Sequence, residues 1–243
     1  MIGTVLVVVA MRAEAQPIVD RLGLEPVDGV PAGLPFAWHA GSVGGLQVAV
    51  TTNGIDPRHG VDNIATQPAA LNTYVSIDRW APDLVLTAGT AGGWAARGAD
   101  IGDVYLSGGD LVFHDRRIGI PAFDEYGHGR YPTVDAAGLA ARLALKTGVV
   151  TTSNSLDDPE PDRSIMRAHG ADVKEMEAAA VGWVTWLLGV PVMAVKAITD
   201  LVDHHTETAE QFQANLAMAT DRLSDAVTAV LSDIDGRTVA ELA

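Results

Sequence analysis

Residues 173–200 read VKEMEAAAVGWVTWLLGVPVMAVKAITD. The first half has the residue types of a helix, the second is an apolar run, and Gly189-Val190-Pro191 between them is a helix stop. VMAVKAIT is apolar without alternation, as a strand covered by helices on both faces must be. This helix-stop-strand unit sets the pattern for the rest of the chain.

Working outward, short β-branched runs predict strands at TVLVVV from Thr4, LQVAVTT from Leu46, LVLTAG from Leu84, DVYLS from Asp103 and VVTTS from Val149. Helical patterns fall between them at 12–22, about 61–79, 135–145, 175–188 and 208–231. Helix alternating with strand predicts an α/β fold with a mostly parallel sheet. No linker or repeat divides the chain, so residues 1–243 are read as a single domain. Residues 113–132, rich in Gly, Pro and charge, form the one long irregular stretch, and a loop of that length is usually functional or interfacial.

Within VKEMEAAAV, Glu175 and Glu177 stand two apart. On a helix beginning at Glu175 they project in roughly opposite directions, so one at most faces a pocket and the other is solvated.

Composition narrows the chemistry. Sixteen basic against thirty-one acidic residues give a net charge of −15, which repels a polyphosphate backbone and argues against a nucleic-acid partner. The absence of cysteine excludes disulfides, Cys-type zinc sites and a thiol nucleophile. The apolar run GTVLVVVAM follows no basic residue and is too short to span a bilayer, so it is expected to be a buried strand of a cytoplasmic protein without a membrane partner.

Ligands of open α/β sheets gather beyond the carboxyl ends of strands. Polar clusters follow four predicted strands: Met11-Arg12-Ala13-Glu14, Gly89-Thr90-Ala91-Gly92-Gly93, Thr152-Ser153-Asn154-Ser155 and Thr199-Asp200. Four such ends suggest one pocket. Taken singly each cluster has a plainer reading. GTAGG is neither a dinucleotide fingerprint nor a phosphate loop and could be a tight turn. Glu14 also suits the start of a helix, and Asp200 could be a cap. Asp203-His204-His205 does not read as a metal site, because adjacent histidines share no face and spacing supplies no third ligand. His114-Asp115-Arg116-Arg117 reads as a solvated or interfacial charge run, and no GxSxG elbow is present.

Together, AMRAE at 10–14, AGTAGG at 88–93, VKEMEAAAV and KAITD at 196–200 resemble, in order, the signature regions of the 5′-methylthioadenosine/S-adenosylhomocysteine nucleosidases of the nucleoside phosphorylase superfamily. VFHDRRIGIPAFDEYGHG, SNSLDD and DLVDHHTETAEQFQANL are most similar to the plant-type branch. The resemblance runs from about Val5 to about Leu231. It implies a three-layer α/β/α sandwich around a central mixed sheet, a homodimer, a small nucleoside as substrate, and neither metal nor cofactor.

It also implies roles. Glu177 corresponds to the acid that binds the ribose 2′ and 3′ hydroxyls, Met176 packs beneath the sugar, and Glu175 stands at the sugar edge. Asp200 matches the general acid facing N7 of adenine, and Glu14 the acid that orients and deprotonates the attacking water. Met11, Thr90 and Gly92 line the base and sugar side, and Leu156 holds a base-stacking position. Ile118 is expected to reach the partner's 5′ pocket. Lys196 stands where bacterial members often carry Arg. Ser153-Asn154 departs from the usual Gly-Asp, which puts Asn154 among the expected purine contacts with an altered polarity.

The expected reaction is hydrolysis of the N-glycosidic bond of 5′-methylthioadenosine or a close 5′-modified adenosine. A nucleoside phosphorylase would instead need cations for phosphate, and Arg58 is the one candidate near Glu14. A catalytically silent storage or binding protein is the other alternative, against which intact Glu14, Glu177 and Asp200 argue.

Overall fold

The computed structural model describes residues 1–204 and 208–243. β1 (Thr4–Val9) lies parallel between β4 (Leu46–Thr52) and β5 (Leu84–Gly93). Its side chains alternate between two cores, as a pleated strand dictates: Val5, Val7 and Val9 enter one, Leu6 and Val8 the other. The first core is covered by α1 (Arg12–Leu22), α4 (Ala137–Leu143) and α7 (Thr208–Ile234), the second by α2 (Thr66–Trp80) and α6 (Ala178–Leu188). The result is the expected three-layer α/β/α arrangement.

The sheet is mixed and partly closed. Beyond β5 it runs through β9 (Ala171–Glu175), β8 (Lys146–Thr152) and β6 (Val104–Ser107) to β10 (Val192–Leu201), which then pairs back with β5. These five strands form a ring. β3 (Ala37–Val43) and β2 (Glu25–Val27) extend the opposite edge, and β7 (Val112–Phe113) adds to β8. Pairings of β9 with β5, β6 with β10, β3 with β4 and β2 with β3 are antiparallel, while the others are parallel, so the sheet is mixed and still mostly parallel, as alternation of helix and strand predicts.

The stop after α6 is as read from the sequence. Gly189 takes a left-handed backbone at φ 68°, and the Val190 N–H closes 2.9 Å onto the Thr185 carbonyl before Pro191. The start of that helix differs. Residues 171–175 are strand β9, held between β8 and β5, and α6 begins only at Ala178. Sheet pairing overrides the helix-forming residue types of VKEME.

α2 begins at Thr66 rather than near residue 61. α3 (Phe123–His128) interrupts the stretch expected to be irregular, and α5 (Glu160–Ala168) precedes β9. Among the described residues no helix is long and apolar enough to cross a membrane.

Candidate active site

The ends of β1, β5, β8, β9 and β10 open into one cavity of about 750 Å³ of empty space, its open mouth included. Acid groups enter from four directions: Glu14, Glu175, Glu177 and Asp200.

Glu14 stands in the first turn of α1 and reaches back to accept the Met11 N–H, which satisfies an otherwise orphan amide. Its other oxygen accepts the Thr90 N–H at 2.7 Å and the Thr90 hydroxyl at 2.6 Å, both from β5. The carboxyl is only 3% exposed, and burial raises its pKa against the lowering effect of these bonds and of Lys196. The cluster GTAGG is therefore part of a strand that approaches this acid: a Cβ on Gly89 would lie 3.3 Å from Glu14 Oε1.

Asp200 comes from a bulge. β10 pairs with β5 in register from Val192 to Ile198, then Thr199 is passed over and Asp200 stands opposite Gly92. A bulge re-aims the side chain that follows it. Asp200 Oδ1 accepts the Thr199 hydroxyl at 2.7 Å, and Oδ2 lies where a Cβ on Gly92 would be 2.6 Å away. Burial raises the Asp200 pKa, opposed by the Thr199 hydroxyl and by Lys174.

Glu175 and Glu177 both line the cavity, contrary to the expectation that one would be solvated. The reason is the strand ending at Glu175. From there its carboxylate turns into the start of α6, accepting the Glu177 N–H at 3.0 Å and the Ala178 N–H at 2.9 Å, together with the Thr152 hydroxyl. Lys196, 1% exposed, pairs with Glu175 at 2.9 Å. Burial opposes the charge of Lys196, but Glu175, Glu177 and Glu14 around it raise its pKa overall. Glu177 accepts the Ala65 N–H at 2.7 Å, and burial and the neighbouring Glu175 charge push its pKa up.

A buried carboxyl with a raised pKa holds a proton more readily than a solvated one. Two such groups, Glu14 and Asp200, flank β5 beside Gly89 and Gly92. Three residues of extended strand separate those positions, roughly 10 Å.

Residues 4–232 match the phosphorylase superfamily. The chain is 42% identical to the 5′-methylthioadenosine nucleosidase of Arabidopsis thaliana, covering 99% of this chain and 91% of the relative. A 5′-methylthioadenosine/S-adenosylhomocysteine nucleosidase of the same plant is 39% identical over 99% and 95%. The chain belongs to the 5′-methylthioadenosine/S-adenosylhomocysteine nucleosidase family. The solved apo structure of the Arabidopsis thaliana 5′-methylthioadenosine nucleosidase superposes on this family member with a TM-score of 0.96, covering 99% of each chain.

In this member of the nucleosidase family the fold gathers Met11, Glu14, Thr90, Gly92, Leu156, Glu175, Met176, Glu177 and Asp200 around the cavity. It does not bring Lys196, Asn154 or Ile118 to the lining. Lys196 is sealed behind Glu175, and the cation acting on Asp200 is Lys174. Asn154 is exposed and bonds Thr66 and Asp115.

Sequence reasoning missed Lys174, Ile64, Thr208 and Phe212, while Ser155 comes from one of the four clusters expected to share a pocket. Lys174 is 5% exposed and donates to the carbonyls of Leu156 and Asp157, which fixes the turn carrying Leu156.

Burial along the run at 114–117 falls from His114, through half-buried Asp115 and Arg116, to exposed Arg117. His114 is fully buried, and burial lowers its pKa to about 4; Arg116 lies over Phe113 and Tyr126, and Arg117 pairs with buried Asp162. Asp203 accepts the Ala95 and Ala96 N–H groups at 2.8 Å, a capping role. His205 lies outside the described residues. Among those described, no three His, Asp or Glu side chains come together as metal ligands.

Proposed function

We propose that this chain hydrolyses the N-glycosidic bond of 5′-methylthioadenosine, and of related 5′-modified adenosines such as S-adenosylhomocysteine, releasing adenine. The supporting observation is the placement of Glu14 of α1 and Asp200 of β10, two buried carboxyls with raised pKa values beside separate positions of β5, with Glu177 in the same cavity.

Breaking this bond leaves positive charge on the ribose and electrons on the base. Asp200 gives or shares a proton with the departing purine, a contribution worth about 10²- to 10⁴-fold. Glu177 accepts from the sugar hydroxyls and stabilises the cation. Glu14, held by Thr90 and Met11, orients a water and takes its proton. Acid and base on separate carboxylates, with room for a water between them, is the arrangement of inverting glycosidases. Thr90 and Gly92 line the sugar and base side, with Met176 and Leu156 as the apolar contacts to ribose and base.

Phosphorolysis is disfavoured by the cations available. Arg58 is 77% exposed and paired with Asp56 at 2.6 Å, while Lys174 and Lys196 are engaged by carbonyls and by Glu175. Among the described residues no arginine lines the cavity, and Glu14 repels an anion.

The proposal extends to a cytoplasmic, single-domain homodimer acting in methionine salvage. Neighbouring helices α2 and α6 expose Leu71, Tyr74, Trp183, Trp186 and Leu187, an apolar face suited to a second copy. Ile118 would serve the partner's 5′ pocket.

Adenine release from 5′-methylthioadenosine, S-adenosylhomocysteine, 5′-deoxyadenosine and adenosine, each with and without phosphate, tests the reading. The expected product is a free reducing sugar at a rate independent of phosphate. A sugar 1-phosphate formed in proportion to phosphate overturns hydrolysis, and no release from any of the four overturns catalysis.

A further inference from the structure

Among the described residues the sugar acid Glu177 is held by one backbone donor, whose conformation is costly. Ala65 donates its N–H to Glu177 Oε1 at 2.7 Å from φ 74°, ψ −171°, a region that essentially only glycine occupies freely. Something outside Ala65 must hold that peptide in place. The start of α2 supplies no side-chain cap of its own.

The missing acceptor comes from the turn after β8. Asn154 Oδ1 accepts the Thr66 hydroxyl at 2.6 Å and the Thr66 N–H at 3.3 Å, satisfying the first amide of α2. Asn154 is itself fixed from the other side, because its backbone N–H and its Nδ2 donate to Asp115 Oδ2 at 2.9 and 3.0 Å. Hydrogen bonds thus run from Asp115 through Asn154 to Thr66, and the backbone of Ala65 joins Thr66 to the N–H that holds the Glu177 carboxylate.

We propose that Asn154 is a positioning residue that sets Glu177 through the start of α2, and not a contact to the purine. The chemistry of the site requires an amide there. One end must accept from Thr66 and the other must donate to a carboxylate. Aspartate would satisfy Thr66 but set a second negative charge against Asp115.

The proposal rests on Glu177 binding the ribose, so Glu177→Gln, which keeps an oxygen for the Ala65 N–H, is the reference variant. Steady-state kinetics on 5′-methylthioadenosine are compared for wild type, Glu177→Gln, Asn154→Asp, Asp115→Asn and the swapped pair Asn154→Asp with Asp115→Asn. Asn154→Asp is expected to raise KM about three- to tenfold, the size of one or two lost hydrogen bonds, with kcat changed less. The swapped pair re-creates one donor facing one carboxylate and is expected to return KM to within about twofold of wild type. Should Asn154→Asp not fold, Thr66→Ala removes only the hydroxyl donor and is expected to raise KM in the same sense. An unchanged KM in the Asn154 or Thr66 variant, or failure of the swap to recover it, overturns the proposal while Glu177→Gln still raises KM. If Glu177→Gln itself leaves KM unchanged, the ribose assignment fails first.

Discussion

A Cβ on Gly92 would stand 2.6 Å from Oδ2 of Asp200, inside any permissible contact. The acid therefore occupies the volume of a missing methyl group on the facing strand. Gly92→Ala should displace Asp200 and lower kcat at least about tenfold, toward the 10²-fold expected for loss of general acid help. Wild-type kcat in a folded Gly92→Ala enzyme would show that the position of Asp200 is not critical.

Asp200→Asn keeps an oxygen for the Thr199 hydroxyl, so the bulge should survive. An amide cannot carry the proton, and kcat should fall about 10²-fold or more with substrate binding retained. Single-turnover kinetics with a binding isotherm check this. A variant keeping more than about a tenth of wild-type kcat, less loss than such catalysis supplies, removes Asp200 from the acid role.

Buried acids also leave a signature in stability. Glu177 has a folded-state pKa above its unfolded value of 4.5, raised by burial and by Glu175. Between those two values the native state binds more protons than the unfolded chain, so stability falls as pH rises through that window. Glu177→Gln carries no such proton and should melt at a higher temperature than wild type near pH 8, with the difference shrinking toward pH 4.5. A difference in melting temperature independent of pH would contradict the raised pKa.

Lys196 and Glu175 are both nearly inaccessible and paired at 2.9 Å. Removing one partner leaves an uncompensated buried charge, and Lys196→Met should cost about 3–5 kcal/mol of stability. Lys196→Met combined with Glu175→Gln should recover part of that loss. Urea unfolding of both variants measures it, and a loss under about 1 kcal/mol in the single variant would mean that the pair does not carry the weight assigned to it.

The strands were legible where the chain signals burial on both faces. TVLVVV, LVLTAG and VMAVKAIT form β1, β5 and β10 as read, since continuous β-branched runs leave few alternatives. β9 was not legible. Lys174, Glu175 and Met176 favour a helix, and only pairing with β8 and β5 makes that segment extended. That one difference changes the site, because a strand sends Glu175 into the next helix instead of leaving it in solvent.

Ile64 and Phe212 line the cavity but look like any core residue in the sequence, and Lys174 like any surface lysine. The bulge at Thr199 has no composition signal at all, because it arises from register against β5. Asn154 stood out in the sequence only by its departure from the usual residue, and was expected there as a purine contact. Its hydrogen bonds to Thr66 and Asp115 depend on two segments distant in the chain.

Glu175 gives the cavity one immovable jaw. Its carboxylate joins the last residue of β9 to the first amides of α6 while neutralising Lys196 beneath them, so shifting either element would strip a buried charge of its partners. Breathing that admits substrate or frees adenine is expected instead at a second jaw of Ile64, Leu156 and Phe212, which lines the same cavity with apolar groups and is tied at the turn 156–157 by the Lys174 bonds. Changes in apolar bulk on that jaw should tune how fast product escapes, and leave the bond-breaking step to the other.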